Sequence, residues 1–202
     1  MAIQDSKPLY IIVEGPDNTG KDTQIALIIK NMPEQVFHKV HYSSLPFKEE
    51  AKHVQHSTEM YSGLFRMIGA LRPEGISVIF NRSHLGESIY APLYRGYSGD
   101  FVFDIEAKHR DLIQADLYLI TLVNDPDRIL SRDDGKSLYK TREDVQADID
   151  GFVRAHRKSL IKNKLLLDVG TMTPDEVSGI IMQFLREQHP DYNPLQQSLQ
   201  FE

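Results

Sequence analysis

Nine residues, Gly15-Pro16-Asp17-Asn18-Thr19-Gly20-Lys21-Asp22-Thr23, combine what is needed to hold a chain of phosphates. Glycines at both ends let a loop turn its backbone N–H groups inward around phosphate oxygens, because no Cβ obstructs the approach or the dihedrals. Lys21 follows the second glycine and supplies a mobile point charge for β- and γ-phosphates. The context agrees with the motif. The apolar run 9–13 reads as a strand, and 23–30 reads as a helix whose unpaired N–H groups and dipole extend the anion site. Gly15, Pro16, Asn18, Thr19, Gly20, Lys21, Asp22 and Thr23 are therefore the expected phosphate-binding set. One position departs from the pattern. The residue after the lysine should be Ser or Thr, whose hydroxyl binds Mg²⁺, and here it is Asp22, with Thr23 one step later. Asp22 and Thr23 are the expected Mg²⁺ contacts, and simple helix capping by Asp22 is the competing reading.

Three further stretches carry usable chemistry. Asn81-Arg82-Ser83-His84 directly follows an apolar strand pattern at 76–80, where open α/β sheets place their ligands. Arg132-Asp133-Asp134-Gly135-Lys136-Ser137 is a charged loop between two helical patterns. Tyr90, Tyr94 and Tyr97 are spaced to wall a base pocket or to pack a short helix, and Glu87 lies on the same segment. The histidines show no spacing suited to zinc.

The elements that must position these groups follow from pattern and punctuation. Pro33 ends the first helix, and 36–42 alternates as strand two before a loop at 43–47 placed to meet a ligand. A helical region spans 48–71, broken or kinked near Gly63, with Met60, Leu64, Met67, Ile68 and Leu71 on one face and Phe65 and Arg66 partly off it. A short helix at 85–93, a Gly/Tyr-rich loop at 94–100 and a helix at 104–114 lead to strand four at 117–123. Asp125-Pro126-Asp127 opens another helix, 142–161 is a long amphipathic one, and strand five at 165–169 precedes a last helix capped by Thr173 with Pro174 in its first turn. Five short apolar strands alternating with helices specify a three-layer α/β/α domain with a parallel sheet. The chain reads as a single domain over 1–202, with a short lid at 132–142 and a polar tail at 190–202 that frays or docks on a partner.

The loop from Glu14 to Thr23 resembles that of the thymidylate kinases, whose pattern is Glu-Gly-x-Asp-Gly-x-Gly-Lys-Ser/Thr-Thr. Asn81-Arg82 is similar to that family's Asp-Arg pair, and the segment from Pro126 through Arg132 resembles its lid region. The resemblance implies ATP and Mg²⁺ as cofactors and a nucleotide 5′-phosphate as acceptor. It implies that Asp17 meets the acceptor sugar, that Arg82 holds the acceptor phosphate, and that an aromatic on the helix before strand three stacks on the base. Phe65 is the candidate for that role, with plain core burial as the alternative. Arg66 or Arg72 would contact phosphate or base, and Arg132 would reach the transferring group with Lys136 or Arg142 in support. Glu87 and Tyr90 lie near the acceptor side and are candidates to bind there, with a solvated helix glutamate and ordinary packing as the alternatives. Asn81, Asp22, Gly86 and Ile89-Tyr90 depart from the family pattern, and Asn81-Arg82-Ser83 is also similar to the Glu-Arg-Ser of deoxynucleoside kinases. The departures suggest that Asp22 supplies the carboxylate missing at Asn81.

Composition bounds the partners. The chain has 202 residues, 41% hydrophobic, with net charge −6 and no long basic run, which argues against a dedicated nucleic-acid surface. It has no cysteine, no signal-like start and no apolar stretch long enough to cross a bilayer, so the expectation is a cytoplasmic protein acting on a small nucleotide. A homodimer is expected from the resemblance. A deoxynucleoside kinase and a non-catalytic nucleotide switch are the alternative readings. Glu49 and Glu50 are the only acids near the end of strand two that could serve a hydroxyl acceptor as base, and they lie several residues beyond it.

Overall fold

A computed structural model describes residues 7–43 and 49–189. Most of the expected ligand loop at 43–47, and the tail at 190–202, therefore lie outside the described residues. The strands are β1 (Tyr10–Glu14), β2 (Phe37–His41), β3 (Ser77–Asn81), β4 (Leu117–Val123) and β5 (Asn163–Asp168). They form one sheet in the order β2-β3-β1-β4-β5, and every pairing is parallel. The helices are α1 (Lys21–Asn31), α2 (Glu50–Leu71), α3 (Glu87–Tyr90), α4 (Phe101–Lys108), α5 (Arg110–Asp116), α6 (Pro126–Ser131), α7 (Arg142–Lys158) and α8 (Pro174–Gln188).

Period-two alternation along the central strands builds both faces. Leu9, Ile11 and Val13 pack with Ile120 and Leu122 against Ile25 and Ile28 of α1 and Ile181 and Leu185 of α8. Tyr10 and Ile12 point the other way, joining Phe80, Leu117 and Leu119 against Leu64 and Ile68 of α2 and Phe152 of α7. Strands covered on both faces have no polar side to present, which is why β1, β3 and β4 are buried along their whole length. Each large apolar side chain buried this way contributes about 1.5–3 kcal/mol. The core thus fixes the C-terminal ends of β1 and β3 side by side, and the site is built there.

Three elements differ from the sequence expectation. Helix α2 runs unbroken from Glu50 to Leu71, because burial of Tyr61, Leu64, Phe65 and Ile68 around Gly63 outweighs a glycine's cost of about 1 kcal/mol. The helix expected at 104–114 is two, α4 and α5, meeting at His109, whose backbone leaves the helical region (φ −114, ψ 26). The helix expected at 85–93 changes pitch twice: a 3₁₀ turn at His84–Gly86, α3, and a π turn at Ala91–Arg95 that Gly96 ends. Among the described residues, no helix is long and apolar enough to cross a membrane.

Candidate active site

The loop 15–23 leaves the end of β1 through Gly15, whose φ of 137° and approach to β4 exclude any side chain. A Cβ there would lie 2.1 Å from the Leu122 carbonyl oxygen. The loop braces itself internally: Thr19 Oγ1 donates to the Pro16 carbonyl at 2.9 Å. Gly20 is the N-cap of α1, so the helix begins at Lys21. The Lys21 ammonium folds back, donating to the Gly15 and Pro16 carbonyls at 2.8 and 2.6 Å, and lies 3.9 Å from Asp17 Oδ1. It is 5% exposed, and burial lowers its pKa to about 8.

The end of β3 supplies the opposing wall. Arg82 takes a left-handed backbone (φ 67°), a strained conformation for an arginine, held by its N–H on the Val13 carbonyl at 3.0 Å. Ser83 locks the next residue by donating N–H and Oγ–H to Glu14 Oε1, both at 2.8 Å. The strain aims the Arg82 guanidinium at Asp17, with which it forms a short ion pair. Asn81 donates its Nδ2 to Asp22 Oδ1 at 2.8 Å, and Lys39 reaches the same oxygen at 3.4 Å. Burial alone would raise the Asp22 carboxyl, but these two hydrogen bonds outweigh it and hold its pKa below the ordinary carboxylate range. Asp22 does not cap α1, since Gly20 occupies that position with no side-chain cap bond. It reaches instead across to β3.

The charged segment after α6 docks on the loop 15–23. Asn18 Nδ2 donates to Tyr139 Oη at 2.8 Å and to Ser137 Oγ at 3.4 Å, so its side chain is committed to this segment. Tyr139 is buried with Val123, Ile129 and Val145, which anchors the segment between α6 and α7, and Thr141 with Asp144 forms a capping box that starts α7.

Two cavities result. The first, about 470 Å³, is lined by Asp17, Gly20, Lys21, Asp22, Thr23, Arg82, Arg132 and Lys136 among others. The second, about 250 Å³, is lined by Glu14, Asp17, Tyr42, Tyr61, Arg82, Glu87, Tyr90 and Arg95 among others. Asp17, Arg82 and Lys136 line both, so they mark the junction.

Most expected site residues converge here, and some do not. Phe65 is 1% exposed inside the core, between His84 and His109 at ring distances of 5.3 and 5.1 Å, and so cannot stack on a ligand. Tyr61, one turn earlier on the same face of α2, lines the second cavity instead. Arg66 is exposed, 3.8 Å from Glu59, and lines neither cavity; nor does Arg72. Arg142 pairs with Asp127 at 3.2 Å outside both, and Glu49 pairs with Lys52 at 3.0 Å. Tyr90 lines the second cavity, whereas Tyr94 donates to Asp148 at 2.9 Å and Tyr97 to Glu87, so these two brace the wall. Tyr42, Tyr61, Glu14 and Arg95 escaped the sequence reading. The helical spacing of Tyr61 from Phe65 and the place of Glu14 at the head of the loop pattern were the available signals for two of them. No cluster of three or more His, Asp or Glu suited to a metal occurs among the described residues.

Over 91% of the chain, the structure matches that of YorR protein from Bacillus subtilis in complex with phosphorylated GDP, at TM-score 0.65, 20% identity and 99% coverage of that chain. It matches a thymidylate kinase from Candida albicans, described for its broad substrate specificity, at TM-score 0.60, 15% identity and coverage of 91% of this chain and 93% of that one. The chain thus shares the fold of these two proteins. No family model matches the chain, and no curated protein matches it by sequence.

Proposed function

We propose that this protein is a deoxynucleoside monophosphate kinase, transferring the γ-phosphoryl group of ATP to the 5′-phosphate of a nucleotide. The observation that carries the reading is the junction. Two cavities of nucleotide-handling chemistry meet at Arg82, Asp17 and Lys136, where an attacking phosphate and a transferring one would face each other. In the transfer the bond between the γ-phosphorus and the β–γ bridging oxygen breaks, and an acceptor phosphate oxygen forms the new P–O bond, giving ADP and a nucleoside diphosphate.

Residues of this chain act mainly by positioning and charge. The loop 15–23 holds the donor phosphates, with Lys21 on the β- and γ-oxygens. Arg132 and Lys136 offset charge on the group in flight. Arg82 holds the acceptor phosphate, which is already an adequate nucleophile and requires no base. Asp17 takes the acceptor sugar. Tyr61, Tyr42 and Tyr90 wall the acceptor.

The residues at the donor cavity fit a hard divalent cation. The Asp22 side chain is 75% exposed and its pKa is held low, Thr23 adds a hydroxyl, and the buried Asn81 Oδ1 has no hydrogen-bond partner. Asp22 and Thr23 would hold Mg²⁺, which when bound neutralises charge on the donor phosphates. Asp22 thereby stands in for the carboxylate that Asn81 lacks. Homodimerisation is part of the same proposal, rests on the fold likeness alone, and is checked by sedimentation.

The test is coupled ADP release with ATP and Mg²⁺ against dTMP, dUMP, dGMP, dAMP, dCMP and the matching nucleosides. Turnover with monophosphates and none with nucleosides is expected. Turnover with nucleosides alone would refute the reading in favour of a deoxynucleoside kinase, and ATP binding without any turnover would favour a switch protein.

A further inference from the structure

The acceptor cavity contains a buried charge pair that the transfer itself does not use. Arg95 donates its Nη1 to Glu87 Oε2 at 2.8 Å, and Tyr97 donates its hydroxyl to Glu87 Oε1. The Glu87 side chain is 1% exposed and that of Arg95 is 18% exposed. Both residues line the acceptor cavity, and neither lines the donor cavity.

This pair is built with some care. The π turn at Ala91–Arg95 adds a residue to the helical path and returns Arg95 toward Glu87, eight positions earlier. The chain then passes so close to α3 that a Cβ on Gly99 would lie 2.1 Å from the Glu87 carbonyl oxygen, which fixes Tyr97 against the carboxylate. Because both Glu87 oxygens already accept, the carboxylate acts as a holder, and the guanidinium it holds is 18% exposed and lines the cavity. A buried charge pair adds little net stability against apolar residues of similar volume, so a cavity wall is a poor place for one unless it meets a ligand.

We propose that Arg95, positioned by Glu87 and Tyr97, makes the acceptor cavity selective for nucleobases with a keto oxygen on the read edge over those with an exocyclic amine. The inference rests on the nucleotide-acceptor reading above. A guanidinium has five N–H donors and no acceptor. Guanine, hypoxanthine, thymine and uracil present a carbonyl oxygen to it, whereas adenine and cytosine present an amino group, setting donor against donor in a partly desolvated site. Tyr42, Tyr61 and Tyr90 surround the same cavity with rings suited to a planar ligand. Arg95 is thus a specificity-determining residue, and Glu87 and Tyr97 are positioning residues.

The test compares ligands that differ at that one group: dIMP against dAMP, and dUMP against dCMP, with the corresponding nucleosides alongside. Dissociation constants come from calorimetry and specificity constants from coupled ADP release. The keto member of each pair should be favoured by about ten- to a hundredfold, the range expected of a good arginine–base contact. Arg95→Lys keeps the charge for Glu87 and loses the planar fork, so both ratios should fall to within about threefold of unity. If Arg95→Lys does not fold, Glu87→Met/Arg95→Met removes both buried charges together and carries the same expectation. Equal affinity or an amine preference in the wild-type protein overturns the inference, and so does a keto preference that survives in the variants. Failure of every nucleotide and nucleoside to bind sinks both readings. A keto preference seen only among nucleosides sinks the monophosphate reading and leaves the role of Arg95 standing.

Discussion

Asp148, on α7, should make the protein less stable as pH rises from about 4 to about 7, and Asp148→Asn should abolish that loss. The residue is 1% exposed, Tyr94 donates to its Oδ1 at 2.9 Å, and its Oδ2 has no partner. Burial drives its pKa up from 3.8 to about 7; the Tyr94 hydrogen bond opposes this, and the negative charges of Asp17 and Asp144 add to it. The folded value exceeds the unfolded one, so below about pH 4 both states are protonated and the residue has no effect on stability. Between about pH 4 and pH 7 the unfolded chain releases the proton and the folded chain keeps it, so stability falls with pH and levels off above the folded value. At 1.36 kcal/mol per pH unit the displacement bounds the loss at about 4 kcal/mol. Local relaxation, and the amide's new donor where Oδ2 lacks a partner, reduce the expected gain from Asp148→Asn to about 1–2 kcal/mol. That corresponds to a rise in Tm of about 2–8 °C at pH 8; at pH 4 the linkage gain is gone and only the amide's cost is left, so the variant should melt at or below the wild type there. The assay is thermal or urea denaturation from pH 4 to pH 8.5. A variant that tracks the wild-type profile, or is the less stable at pH 8, would refute the assignment of a buried, neutral Asp148.

The other predictions concern the loop, the metal side and the wall. Asp22→Ser should weaken apparent Mg²⁺ affinity in the kinase assay about 10- to 100-fold, and adding Asn81→Asp should restore much of it; wild-type activity of the single variant at ordinary Mg²⁺ would end the idea. Gly15→Ala should cost at least about 3 kcal/mol in urea denaturation, because it combines a left-handed backbone with a Cβ 2.1 Å from the Leu122 carbonyl. Phe65→Leu should lower stability by about 1–3 kcal/mol without altering acceptor KM, whereas Tyr61→Leu should raise that KM about fivefold. An acceptor KM that follows Phe65 would restore it to the base site.

What could be read from the sequence was what depends on local chemistry. The loop from Gly15 to Thr23 has one glycine-driven solution, and apolar runs at β1, β3 and β4 have few ways to bury both faces. Arg82 directly follows β3, which pairs with β1, so its meeting with Asp17 follows once strand order is known. What stayed hidden depends on distance and pitch. Phe65 and Tyr61 share one face of α2 and one core cluster, and only the packing around them decides which also borders the cavity. Arg95 reaches Glu87 through a π turn, which has no periodic signature. Asn18 joins Tyr139 across 121 positions, a contact that neither residue announces. Even Gly63, a reasonable helix breaker, was overruled by four buried neighbours.

Three cations of the site share a further property: each is held by a partner within the chain. Lys21 donates to the Gly15 and Pro16 carbonyls, Arg82 pairs with Asp17, and Lys136 pairs with Asp134 at 2.7 Å. Phosphates entering such a site exchange one set of hydrogen bonds for another, so binding is moderate in strength while the donors stay aimed. On the proposed reading the exchange at Arg82 has a second effect. When an acceptor phosphate takes the guanidinium, Asp17 is released, and the released carboxylate becomes available to the acceptor's sugar hydroxyl. An acceptor without a phosphate leaves Arg82 on Asp17 and meets a carboxylate already engaged. A single ion pair at the junction of the two cavities thereby links recognition of the acceptor's phosphate to recognition of its sugar, and it favours a monophosphate over a nucleoside by the same contact that would hold it for transfer.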